Sequence, residues 1–89
     1  MMRIYNGVVF KSDTNMYVLE ESGKKPNTVR LLDRDEVKKL ELGTDSEPKH
    51  ITIKHESTGM RFGRELTNIS VIGELCGKTI VVFSWKHEE

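Results

Sequence analysis

Asn68-Ile69-Ser70-Val71-Ile72-Gly73-Glu74-Leu75, then Cys76-Gly77, then Lys78-Thr79-Ile80-Val81-Val82-Phe83-Ser84-Trp85 is the stretch that decides the fold. Both arms are rich in β-branched and aromatic residues. The two residues between them end in glycine, the signature of a tight hairpin loop that needs positive φ. In the second arm Ile80 and Val82 fall on one face, and Val81, Phe83 and Trp85 on the other. A strand that is apolar on both faces is covered on both, which predicts that Lys78 to Trp85 lies in the middle of the core. The rest of the chain shares this bias: alanine and glutamine, two strong helix formers, are absent, while Val, Ile and Thr together number 21.

Upstream, His50 to Glu56 alternates, with Ile51, Ile53 and His55 on one face and His50, Thr52, Lys54 and Glu56 on the other. Ser57-Thr58-Gly59 then turns the chain into Met60 to Leu66, where Met60, Phe62 and Leu66 share a face with Arg64. Arg3 to Phe10 reads as a first strand. Ser12-Asp13-Thr14-Asn15 reads as a turn leading into a second strand, Met16 to Glu20, and after the breaker Ser22 to Asn27 a third strand covers Thr28 to Leu32. One helix is predicted. Asp33 stands as N-cap with Glu36 at the third helical position, Leu32 and Val37 are placed as a hydrophobic staple, and Gly43 supplies a stop, giving a helix over Arg34 to Leu42. The expected architecture is a single β-rich α+β domain over residues 1–89. It consists of a mostly antiparallel curled sheet or small open barrel of six or seven short strands, closed at one face or end by one short helix. His87-Glu88-Glu89 is expected to fray.

Composition removes several function classes. Fourteen basic residues balance fourteen acidic ones, and each half of the chain is also nearly neutral, so no global field steers the protein to nucleic acid or to an anionic membrane. Thr79 to Trp85 is far shorter than the ~20 apolar residues of a membrane helix. The N-terminus lacks the apolar stretch of a signal peptide, and Cys76 is the only cysteine, which together predict a cytoplasmic protein without disulfides or a thiol-based metal site. A chain this short buries roughly 60 to 65% of its unfolded surface, so pairing into a homodimer would add stability.

Several short motifs carry recognisable chemistry. Gly73-Glu74-Leu75-Cys76-Gly77-Lys78-Thr79 is one residue too short between its glycines for a phosphate loop, and a strand follows it where a helix is required. Arg30 and Arg34, with Asn68-Ile69-Ser70-Val71-Ile72-Gly73, resemble the paired motifs of PilZ domains. That resemblance implies a barrel binding cyclic di-GMP, but only sixteen residues follow Gly73, too few for the strands such a barrel still requires. Arg3-Ile4-Tyr5 and Gly59-Met60-Arg61-Phe62-Gly63-Arg64 resemble fragments of the RNA-recognition-motif signatures, whose sheet aromatics stack on bases. The long helix which that fold needs after its first strand is not predicted here. Asp33-Arg34-Asp35-Glu36 has Val37 where a calcium loop needs a ligand, so its carboxylates are helix caps.

His50 and His55 are five apart on one strand and project to opposite faces, so they do not form a joint metal site. A metal-free nuclease or hydrolase built from His50 or His55, Glu56, and Arg61 or Arg64 has the right residue types but no fixed geometry. No catalytic residue and no cofactor is therefore assigned. The remaining asymmetry is the window from Lys49 to Arg64, where Lys49, Lys54, Arg61 and Arg64 face Glu56 alone, with Phe62 interleaved. These five residues, Lys49, Lys54, Arg61, Phe62 and Arg64, form the candidate partner-binding surface. The expectation is a small non-catalytic adaptor, regulator or inhibitor of a protein partner, of the kind common among phage and mobile-element accessory proteins. A nucleic acid or nucleotide is the alternative ligand.

Overall fold

The computed structural model describes residues 1–87. Along the chain the elements are β1 (Met2–Ile4), β2 (Gly7–Ser12), α1 (Thr14–Glu21), β3 (Asn27–Leu32), α2 (Arg34–Leu40), β4 (His50–His55), β5 (Arg61–Leu75) and β6 (Lys78–Trp85). The six strands form one mixed sheet in the order β1-β2-β4-β5-β6-β3. Every neighbouring pair is antiparallel except β2 and β4, which run parallel and are joined by a crossover that carries α1, β3 and α2. The mainly β, open architecture is thus as the sequence predicts.

The long strand β5 bends the sheet. Its first residues pair with β4 and the remainder with β6, with bulges between Leu66 and Asn68 and between Val71 and Gly73 that turn the strand as it passes from one neighbour to the other. Curling brings Val8 and Phe10 of β2, Ile51 and Ile53 of β4, Phe62 of β5, and Val81, Phe83 and Trp85 of β6 onto one inner face, where all are buried. Leu32, Leu40 of α2 and Tyr17 of α1 complete this core. As predicted, β6 is interior, between β5 and β3. Its hairpin loop takes positive φ at both Cys76 (51°) and Gly77 (78°), the two-residue geometry that matches strand twist.

Four local readings are corrected. First, the opening hairpin lies inside the stretch read as one strand, with Tyr5 and Asn6 between β1 and β2. Second, Met16 to Glu20 is helix rather than strand, so the domain has two helices. Asp13 is its N-cap and accepts the Met16 amide at 2.9 Å, and Tyr17 and Glu20, one turn apart, are its buried residues. Third, the runs read as two strands, Met60 to Leu66 and Asn68 to Leu75, form one strand, Arg61–Leu75, with Met60 outside it. Fourth, α2 begins at Arg34 with the predicted capping box, Asp33 accepting from Glu36 and Glu36 from Asp33, but ends at Leu40 because Glu41 adopts a left-handed conformation (φ 49°). At the C-terminus, His87 is partly buried and lies against Gly23, while Glu88 and Glu89 fall outside the described residues.

Close approach of two backbones requires a glycine at one point. A Cβ on Gly7 would stand 2.8 Å from the His50 carbonyl oxygen, so the parallel β2–β4 ladder closes at this end only because residue 7 has no side chain.

Candidate functional site

Register decides which charges meet. In the β2–β4 pairing Lys11 is opposite Lys54, and in the β4–β5 pairing Lys54 is opposite Arg61. Neighbours at one level of a sheet project from the same face, and the adjacent level, Phe10, Ile53 and Phe62, is buried in the core, so the three cations stand in a row on the outer face. Adjacent members are about 4.8 Å apart along the sheet. Like charges directly opposite each other are unfavourable by roughly 0.2–1 kcal/mol per pair. Among the described residues none of the three has an acidic partner, since the ion pair present joins the Met1 ammonium to Glu36 at 3.2 Å.

A fourth cation completes a cleft of about 690 Å³, within the size range of ligand sites. Arg30 reaches it from β3, the far edge of the sheet. β1 covers β2 only along Gly7 to Val9, so Phe10 to Ser12 are left without a strand on that side, and β3 faces them across an open seam. The Arg30 guanidinium spans this seam. Its Nη1 donates to the Lys11 carbonyl oxygen at 2.8 Å, Nη2 to Ser12 Oγ at 2.8 Å, and Nε to Thr28 Oγ1 at 2.9 Å, while its Cζ sits 4.7 Å from the centre of the Phe10 ring. Ser12 Oγ in turn donates to Glu20 Oε1 at 2.7 Å, which links the cation through one hydroxyl to a fully buried carboxylate. Burial lowers the Arg30 pKa from its usual value and the charge of Glu20 opposes that shift. Met1, Met2, Ile4 and Val9 supply the apolar wall, and among the described residues no carboxylate lines the cleft.

The five sequence-derived candidates separate into groups. Lys54 and Arg61 are brought together in the cleft. Lys49 is exposed at the opposite end of β4, about 16 Å away along the strand. Phe62 is 8% exposed and belongs to the core, in edge-on contact with Tyr17 and Trp85. Arg64, on the inner side with it, stacks over the Phe62 ring at 4.8 Å and donates to the Glu21 carbonyl at the end of α1. Sequence reasoning missed two cleft cations, Lys11 and Arg30, and the apolar wall beside them. Lys11 lies on β2, far from the hairpin in sequence, and Arg30 on a strand that does not pair with either.

His55 occupies a structural position. Its Nδ1 accepts the amides of Ser57 (3.1 Å) and Thr58 (3.2 Å), which leaves the proton on Nε2 to face Thr14 Oγ1 at 3.0 Å. The ring therefore closes the turn after β4 onto the start of α1, and both nitrogens are engaged.

Comparison with protein-family models, with curated proteins and with solved structures finds no match for this chain.

Proposed function

We propose that the protein is a small non-catalytic binding module, an adaptor or regulator, that holds anionic groups of a macromolecular partner against Lys11, Lys54, Arg61 and Arg30. The observation that supports it is the uncompensated row of cations across β2, β4 and β5 in a chain of zero net charge. Charges that guard a sheet edge against aggregation belong on edge strands. Here Lys54 is flanked by β2 on one side and β5 on the other, so that explanation does not apply to it, whereas Lys11 and Arg61 lie where β2 and β5 have no second neighbour. Two unfavourable like-charge contacts kept at one place support a ligand-binding role for it. The engagement of both nitrogens of His55 supports the non-catalytic half of the reading, and the single exposed cysteine suits a reducing cytoplasm.

The test is titration of ¹⁵N-labelled protein with polyglutamate and with oligothymidylate, followed by amide shifts. Shifts centred on Lys11, Lys54 and Arg61, abolished in a Lys54→Glu/Arg61→Glu variant that keeps a native spectrum, are expected with at least one of the two. Absence of shifts with both overturns the proposal.

A further inference from the structure

We propose that the occupant of the cleft is an extended acidic segment of a protein that also carries an aliphatic side chain; this rests on the anion-binding reading above and names the partner class. The wall beside the cations has the chemistry for it. Met2 and Ile4 of β1 are 61% and 45% exposed, and Met2 stands opposite Val9 on the outer face, with Val9 two levels along β2 from Lys11 and about 7 Å from it. Exposed thioether and aliphatic surface of this kind adapts to a partner's apolar side chain. Carboxylates on the Lys11–Lys54–Arg61 row and a leucine-like side chain on Met2, Ile4 and Val9 therefore satisfy both halves of the cleft at once.

A nucleic-acid strand fits it less well. Binding of single strands relies on aromatic platforms for the bases. Phe10 is 4% exposed and lies beneath the Arg30 guanidinium, and Phe62 is turned into the core, so the cleft presents no free ring. Arg30 also fixes the mode of binding. Because it already occupies the Lys11 carbonyl, the segment does not enter as an added strand and is held through side chains. Three of the five guanidinium N–H groups are committed within the protein, which leaves two on a rigidly held head group for an incoming carboxylate.

Fluorescence anisotropy with the intact protein tests this, using a labelled glutamate-rich peptide containing leucines, the same peptide with serine in place of leucine, and labelled oligothymidylate. The leucine peptide is expected to bind most tightly, to weaken with added salt, and to lose at least about tenfold in affinity on leucine replacement and in Lys54→Glu protein. Arg61→Glu serves as a second variant, and circular dichroism confirms that each is folded. Oligothymidylate binding more tightly than the leucine peptide, or equal binding of the two peptides, overturns the peptide assignment and leaves the anion-binding reading standing. Failure of all three probes to bind overturns both.

Discussion

The Arg30 guanidinium donates to the main-chain carbonyl of Lys11 at 2.8 Å, and this contact crosses the open seam between β3 and the uncovered half of β2. One side chain thus does at the seam what a backbone ladder does elsewhere. A lysine in its place has no fork with which to reach Lys11 O, Ser12 Oγ and Thr28 Oγ1 together. Arg30→Lys is expected to lower stability by about 1 to 2 kcal/mol and Arg30→Met by about 2 to 3 kcal/mol in urea unfolding, with the m-value unchanged.

Glu20 and Arg30 are coupled through Ser12, so their deletions should not add. Removing the cation leaves a fully buried carboxylate with a weaker environment, and removing the carboxylate leaves the guanidinium's burial unopposed. In a double-mutant cycle of Glu20→Leu and Arg30→Met, the double variant is expected to lose at least about 1 kcal/mol less than the sum of the two singles. Additive losses would show that the relay through Ser12 carries no energy.

Lys54 stands between two cations, so reversing its charge converts two unfavourable neighbours into favourable ones. Lys54→Glu is expected to raise stability by about 1 kcal/mol at low ionic strength, seen as a melting temperature higher by roughly 4–8 °C, with much of the gain removed by salt. The same variant is expected to lose ligand affinity. Gain of stability together with loss of binding is the mark of a site kept for function, and a destabilised Lys54→Glu would count against the cation row as drawn.

His55 ties two segments together, Nδ1 accepting the Ser57 and Thr58 amides and Nε2 facing Thr14 Oγ1. His55→Ala is expected to cost about 1 to 3 kcal/mol and to speed hydrogen exchange at the Ser57 and Thr58 amides, whereas His55→Asn, whose carbonyl can stand in for Nδ1, recovers part of the loss. Two-bond ¹⁵N correlation spectra should report the tautomer protonated at Nε2.

Gly7→Ala forces a methyl group against the His50 backbone. A loss of about 1 to 3 kcal/mol is expected, and because the clash is with main chain rather than with a flexible side chain, larger residues at this position should fail to restore native packing. Native stability in Gly7→Ala would mean that β2 and β4 are further apart at this end than described.

What the sequence shows and what it hides follow from the range of the interactions. The hairpin from Asn68 to Trp85 and the capping box at Asp33 are specified by neighbours in the chain, and both are legible. Helix α1 was hidden because Asp13 suits a turn and a helix N-cap equally, and Tyr17 and Val18 favour strands. Lys54 and Arg61 were visible as a pair within one hairpin. Strand alternation already placed Phe62 and Arg64 on the opposite side from Arg61, a signal that was present and outweighed by the local excess of charge. Lys11 joins the row only through a parallel pairing across a long crossover, and no local pattern encodes that partnership.

That crossover also sets an order of events. Pairing of β4 with β2 closes a loop that holds two helices and an edge strand of the sheet and so carries a large loop-closure cost, whereas β5 and β6 are neighbours in sequence and can zip locally. The cation row is shared among β2, β4 and β5, so it does not exist before that crossover closes. A partner that recognised the row would pass over chains in which the crossover is still open.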